Sequence, residues 1–362
     1  MKARIAFLPG DGIGREVLIE ARHVLEIIAT EHGHEFEFVE GDIGAVAIER
    51  HGEPFPQATR ELCESSQAVL LGAVGNPKFD HLPPAKKPER GLLALRECLG
   101  NYANLRPVLI SEPLIESSPL KSEVVRGVDM LIVRELLGGI YFGKPRGRDG
   151  DRAYDTESYS RDEVRRIARM GFKLAELRHR KVTSVDKANV LESSVLWRET
   201  VAEVAREFAG VKLENMYVDN CAMQIVARPQ QFDVVLTNNM FGDILSDEAA
   251  MLGGSLGILP SASIGGKVGL YEPVHGSAPD IAGKGIANPI GAISSAAMLL
   301  EHSFGLHHEA TKIDRAVIKA LSRNYRTPDL KSRTKEKTEE RIVSTKEMAE
   351  HIRDFIRTPD AT

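Results

Sequence analysis

Short apolar segments of strand length alternate with longer segments of helical period along most of the chain. That alternation constrains the fold more than any other feature. Residues 4–8 read as a short buried strand. Over residues 13–32, Val17, Ala21, Val24, Leu25 and Ile28 recur at helical spacing, and Gly33 supplies a C-terminal stop. Phe36, Phe38 and Val39 mark the next strand and Ala68–Ala73 another, and residues 129–133, 182–185 and 233–236 continue the series. Ser160 opens a helix, with Glu163 completing a capping box, and Ser344 with Glu347 opens the last helix in the same way. A further helix is expected over residues 192–208. Strands alternating with helices predict an α/β architecture with a largely parallel sheet. At about 150 residues per domain, 362 residues suggest roughly two domains. Residues 140–159 break the pattern, with aromatics alternating around a charged, glycine-rich turn. They predict a projecting hairpin, either plain surface or an oligomer contact. The charged stretch 323–341 reads as solvated surface.

Charge and cysteine usage narrow the function classes. Lys and Arg number 47 against 52 Asp and Glu, a formal net charge of −5, which argues against broad binding to a nucleic-acid backbone. Cys63, Cys98 and Cys221 stand far apart with no C-x-x-C pair. A zinc site or disulfide framework is therefore not expected, and a reducing cytosol is. No apolar run reaches the about 7–15 residues of a signal peptide or the about 20 of a membrane helix, so a soluble cytoplasmic protein is expected.

Six blocks carry chemistry. The loop Pro9-Gly10-Asp11-Gly12-Ile13-Gly14 follows a strand and opens a helix. Its G-x-G-x-G spacing is not the dinucleotide fingerprint, and a plain tight turn fits it as well. Over residues 91–108, Arg96 falls in a helix and Arg106 in the following strand. Converging guanidinium groups suit a dicarboxylate; singly, each suits a surface ion pair. Arg134 ends an apolar strand, and Tyr141 follows a Gly-Gly turn, as a proton donor or as a structural residue. Lys187 stands at a strand end beside Asp186, as a proton carrier or an ion-pair partner. Asp219 is expected at a strand end. Asp243 and Asp247 are four apart and share a helix face. A hard divalent cation explains that spacing, and so does a solvated surface. Residues 270–289 read as a long irregular loop, which is usually functional. Within it His275 and Asn288 suit an adenine nucleotide, and Asp280 suits ribose hydroxyls while repelling a 2′-phosphate.

Taken together, the blocks PGDGIG, LLALR…ANLRP, VRE..GGIYFG, VDKANVL, YVDN, FGDILSDEA and HGSAPDIAGKGIANP resemble the β-decarboxylating dehydrogenases, the isocitrate/isopropylmalate dehydrogenase family. The resemblance covers nearly the whole chain. It implies two α/β domains with a mixed, largely parallel sheet around a cleft, and not a Rossmann fold. The first, nucleotide-binding domain would be discontinuous, residues 1–101 plus 254–362. Residues 102–253 would form the second, which dimerises, holds metal and substrate, and carries the arm at about 140–160. The resemblance implies a homodimer with active sites shared between subunits.

Arg96, Arg106 and Arg134 match the clamp on the substrate carboxylates. Asp243, Asp247 and the partner subunit's Asp219 match the Mg²⁺ or Mn²⁺ site, with Asp219 also on the substrate. Lys187, likewise from the partner, matches the group handling the C2 hydroxyl proton, and Tyr141 the acid that protonates carbon after CO₂ leaves. Leu92 and Val190 match an apolar pocket for an isopropyl group. Ile13, Glu272, His275, Gly276, Ser277, Ala278, Asp280 and Asn288 match the NAD⁺ site. Asp280-Ile281, with no Lys-Tyr pair, points to NAD⁺ over NADP⁺. Leu92 offers apolar surface where an isocitrate enzyme needs a polar group, since an unpaired carboxylate against it would be costly. The implied activity is NAD⁺-dependent oxidative decarboxylation of 3-isopropylmalate in leucine biosynthesis. The alternative is a D-malate/tartrate-type or homoisocitrate enzyme. Leu137, Cys221 and the pair Asn238-Asn239 depart from the family's usual threonine, alanine and Gly-Asn, and none removes a catalytic group.

Overall fold

The computed structural model describes residues 1–332 and 340–358. Its strands among the described residues, in chain order, are β1 (Lys2–Gly10), β2 (Glu35–Glu40), β3 (Ala68–Ala73), β4 (Ala103–Leu109), β5 (Asp129–Glu135), β6 (Gly147–Asp149), β7 (Arg152–Tyr154), β8 (Lys181–Asp186), β9 (Lys212–Tyr217), β10 (Val234–Thr237), β11 (Pro260–Ile264), β12 (Gly269–Pro273), β13 (Tyr325–Arg326) and β14 (Arg341–Ile342). Two compact units divide the chain. One comprises Met1–Asn101, Ser111–Pro119 and the chain from Gly253 on; the other comprises Tyr102–Ile110 and Leu120–Leu252.

In the first unit the strand order is β2-β1-β3-β12-β11, parallel except for the antiparallel β12–β11 pair. All six residues of β3 are buried, as expected of a parallel strand covered on both faces. The helix Gly14–His32 follows β1 and buries Val17, Ala21, Val24, Leu25 and Ile28. It ends at Gly33, whose φ of 69° is left-handed and lets its N–H reach Ala29 O. In the second unit β4 pairs antiparallel with β5, and β5-β10-β8-β9 continue in parallel. Both predicted capping boxes form, at Ser160/Glu163 and Ser344/Glu347. The segment after Ile140 carries the exposed antiparallel hairpin β6–β7.

Parallel strands gather their C-terminal ends on one edge, where α/β proteins place binding residues. In the first unit Asp11 follows β1; in the second, Arg134 lies near the end of β5, Lys187 follows β8 and Asn238 follows β10.

Some expectations need correction. The helix expected over 192–208 stops at Ala205. Residues 270–273 are not loop but strand β12, because Leu270 and Tyr271 are wholly buried between β3 and β11. Its partner β11 (PSASI) was missed, since small residues give no apolar alternation. Asp219 lies in the first turn of the helix Val218–Ala227 rather than on β9. Within 323–341, Arg326, Thr327 and Leu330 are buried rather than solvated, and residues 333–339 lie outside the described ones. Among the described residues no helix is long and apolar enough to cross a membrane.

Candidate active site

In the second unit the neighbouring strands β4 and β5 bring Arg106 and Arg134 together beneath two carboxylates. The helix Asn239–Ala250 follows β10, capped by Asn238, whose Oδ1 accepts from Phe241 N–H. Its period puts Asp243 and Asp247 one turn apart. Gly242 admits the arginine, since a Cβ there would stand 2.6 Å from Arg134 Cγ. Arg106 donates from Nε to Asn104 Oδ1 (2.8 Å) and from Nη1 to Ser246 Oγ (2.6 Å) and Asp247 Oδ1 (3.2 Å). Its Nη2 lies 3.6 Å from Asp243 Oδ1. Arg134 Nη1 pairs closely with Asp243 Oδ1. Tyr141, on the short 3₁₀ turn Gly139–Tyr141, donates its hydroxyl to Asp243 Oδ2 at 2.9 Å.

The two guanidinium groups are buried, whereas the Asp243 and Asp247 side chains remain 35% and 54% exposed. Oxygen donors therefore open outward over a fixed cationic floor. Burial raises the Tyr141 pKa above that of an ordinary tyrosine, and the Asp243 carboxylate raises it further, so the phenol keeps its proton at neutral pH. Burial also raises the Asp247 pKa, opposed by Arg106 and reinforced by Asp243.

Lys187 and Asp219 form a second cluster, with Nζ 2.7 Å from Oδ1. The hydrogen bond from Lys187 lowers the pKa of the exposed Asp219 carboxyl. Beside it, buried Asp186 accepts two bonds from Arg198 at 2.8 Å each. Asp219 does not join Asp243 and Asp247 within this chain: among the described residues no three His, Cys, Asp or Glu side chains converge as a metal site. Val190 is 69% exposed.

The remaining predicted residues lie in the first unit. Arg96, on the helix Pro88–Leu99, pairs at 2.8 Å with Glu272, both buried. Leu92, one turn earlier, is partly buried against the core. The loop after β1 is fitted to the segment beyond β12. A Cβ on Gly12 (φ 55°) would stand 1.9 Å from Ser277 O, and Ile13 N–H donates to that oxygen at 2.8 Å. Gly276 is exposed and Ser277 buried. Ala278 has φ 37°, rare for a residue with a side chain, as binding loops often show. His275 Nδ1 lies 2.9 Å from Gly276 O, and its buried Nε2 has no partner among the described residues. Burial lowers the His275 pKa, so the ring stays neutral. Asn288 donates to Asp329 Oδ2 (3.0 Å) and accepts from Ile290 N–H (3.0 Å). Asp280 is exposed.

Sequence reasoning missed Asp11, whose carboxylate accepts from the N–H groups of Ala45, Val46 and Gly75 at 2.9, 2.9 and 2.8 Å. It also missed Asn104, Ser246 and Asp329. The partners of Asp11, Ser246 and Asp329 lie far along the chain, Asn104 meets Arg106 two residues on, and only Asp11 sits inside the glycine-rich loop that marks the block.

The isocitrate/isopropylmalate dehydrogenase family matches residues 4–352. A 3-isopropylmalate dehydrogenase of Geobacillus kaustophilus is 57% identical, over 98% of this chain and 95% of its own length. A 3-isopropylmalate dehydrogenase of Bacillus subtilis is 58% identical, over 91% and 92%. The crystal structure of isocitrate dehydrogenase from Methylococcus capsulatus superposes with a TM-score of 0.85 at 35% identity, covering 98% of this chain and all of that one.

Proposed function

The chain belongs to the isocitrate/isopropylmalate dehydrogenase family, and from that premise we propose that it oxidatively decarboxylates (2R,3S)-3-isopropylmalate with NAD⁺. The products are 4-methyl-2-oxopentanoate and CO₂, a step of leucine biosynthesis. One observation carries the chemistry: a phenol and two outward-facing carboxylates stand over two buried arginines.

The donor set fits the cofactors. Asp243 and Asp247 offer hard oxygens one helical turn apart, suited to Mg²⁺ or Mn²⁺. The loop at Gly12 and Ser277, the unpartnered His275 Nε2 and the exposed Asp280 suit NAD⁺. Bound there, the cation would supply Lewis-acid chemistry and NAD⁺ a hydride acceptor.

The protein's own groups do the rest. Arg106 and Arg134 hold substrate carboxylates, with Arg96 assigned the same role from the first unit. Lys187 takes the C2 hydroxyl proton as the hydride leaves. The resulting 2-keto acid has a carboxylate β to its carbonyl and loses CO₂. Tyr141 then protonates the carbon left behind, which needs a phenol still protonated at neutral pH. Leu92 and Val190 face the isopropyl group. Ile13, Glu272, His275, Gly276, Ser277, Ala278, Asp280 and Asn288 are assigned to NAD⁺, and the Asp280 carboxylate repels a 2′-phosphate. The first unit thus serves as the nucleotide-binding domain.

We propose a homodimer in which the partner subunit's Lys187 and the partner subunit's Asp219 complete each site. Two features support this: Asp219 stands apart from Asp243 and Asp247 within the chain, and Met223, Val226 and Ile244 leave an apolar surface open on two helices of the second unit. Such a surface marks an interface.

The test is NADH formation with Mg²⁺ or Mn²⁺ on 3-isopropylmalate, isocitrate, homoisocitrate, D-malate and tartrate. Preference for 3-isopropylmalate is expected. A higher kcat/KM on any other would refute the substrate and keep the reaction class.

A further inference from the structure

Asn239 opens the helix that carries Asp243 and Asp247, and the residue is 1% exposed. Its Oδ1 accepts two hydrogen bonds from Arg134, from Nε at 3.0 Å and Nη2 at 2.7 Å. Its Nδ2 donates two, to Leu136 O at 3.0 Å and Gly138 O at 3.1 Å. One amide thus ties an arginine on β5 to the turn leading into Tyr141, with bonding capacity filled on both ends.

The geometry points to Asn239 as a positioning residue for this reaction; the inference rests on the roles proposed above for Arg134 and Tyr141. Two bonds along one edge of the guanidinium plane fix its rotation and direct Nη1 to Asp243. The two donated bonds hold the turn. Tyr159 packs against the same turn: a Cβ on Gly138 or Gly139 would stand 2.6 or 2.4 Å from Tyr159 atoms. The Tyr159 hydroxyl accepts from Asn239 N–H at 3.0 Å, so the same residue also holds the ring packed against the turn. Glu135 secures the same turn by accepting from Leu137 N–H and Gly138 N–H. Asn239 therefore sets the arginine and the phenol in one frame, and both converge on Asp243.

Two variants separate the two ends of the amide. Asn239→Ala loses both. Asn239→Asp keeps the acceptor for Arg134 and replaces the donor facing Leu136 O and Gly138 O with a second oxygen. Steady-state kinetics are run with the full-length enzyme on whichever family substrate the wild type turns over best. Loss of substrate preference would thus sink the substrate assignment without touching this inference. For Asn239→Ala, KM for the hydroxy acid rises and kcat falls, each by about tenfold or more, as small misplacements cost in a positioned site. KM for NAD⁺ stays within about twofold of wild type. For Asn239→Asp, KM stays near wild type while kcat falls. Folded variants with both constants unchanged would overturn the inference. So would a lowered Tm with unchanged kinetics, or the same rise in KM and fall in kcat in both variants. Failure of both variants to fold would assign the side chain to the fold instead.

Discussion

Replacing Asp11 by Ala removes the acceptor for three backbone N–H groups, those of Ala45, Val46 and Gly75. The helix Ala45–His51 starts after Gly44, which has no side chain to cap it. Asp11 therefore caps that helix from another part of the chain, and it also holds the residue that lies two beyond β3. A buried donor left unsatisfied costs about 1–3 kcal/mol. Val46 N–H is only partly buried, so water compensates some of its loss. The sum comes to about 3–5 kcal/mol, several times an ordinary cap deletion. At about 2–4 °C per kcal/mol for a domain of this size, Tm falls by about 10 °C. Thermal unfolding followed by far-UV circular dichroism at pH 7 reads this directly. The pH dependence carries a second signature. Burial raises the Asp11 pKa despite its three hydrogen bonds. The fold thus binds the proton more tightly than the unfolded chain does, and stability from this group is lost as pH rises through the raised pKa. The Asp11→Asn variant has no such titration, so its stability profile is flatter across that window. A Tm within about 2 °C of wild type for Asp11→Ala would refute the capping role.

Other perturbations test the site. Tyr141→Phe keeps the ring but removes the proton donor, and turnover falls about 10²–10⁴-fold, the usual worth of a general acid; steady-state NADH formation at saturating substrate checks it. Lys187→Ala and Asp247→Asn are each inactive yet folded. Refolding the two together yields hybrid dimers with one intact shared site, so activity returns only in the mixture; sites contained in one chain would stay dead. Burial pushes the thiols of Cys63 and Cys221 up to about 12, while Cys98 is partly exposed. A thiol reagent at about pH 8 therefore modifies Cys98 before the other two, as mass spectrometry of the labelled cysteines would show.

The sequence revealed elements wherever apolar periodicity is strong. β3 and both capping boxes were legible because six consecutive buried positions and a Ser-x-x-Glu pattern are local signals. β11 was not, because its small residues owe their place to pairing with β12. The same division holds in the site. Asp243 and Asp247 share a helix face by spacing alone. Arg106 and Arg134 converge because β4 and β5 pair, a long-range fact that no local pattern states. Asn239 and Asp329 act through side chains about a hundred or about forty residues away, so their work was invisible before the fold.

Product analysis after complete turnover of 3-isopropylmalate tests the central claim most directly. Oxidation followed by loss of the β-carboxylate predicts one NADH, one CO₂ and one 4-methyl-2-oxopentanoate per substrate consumed. Accumulation of the 2-keto acid with both carboxylates intact, or NADH formed without CO₂, would contradict it.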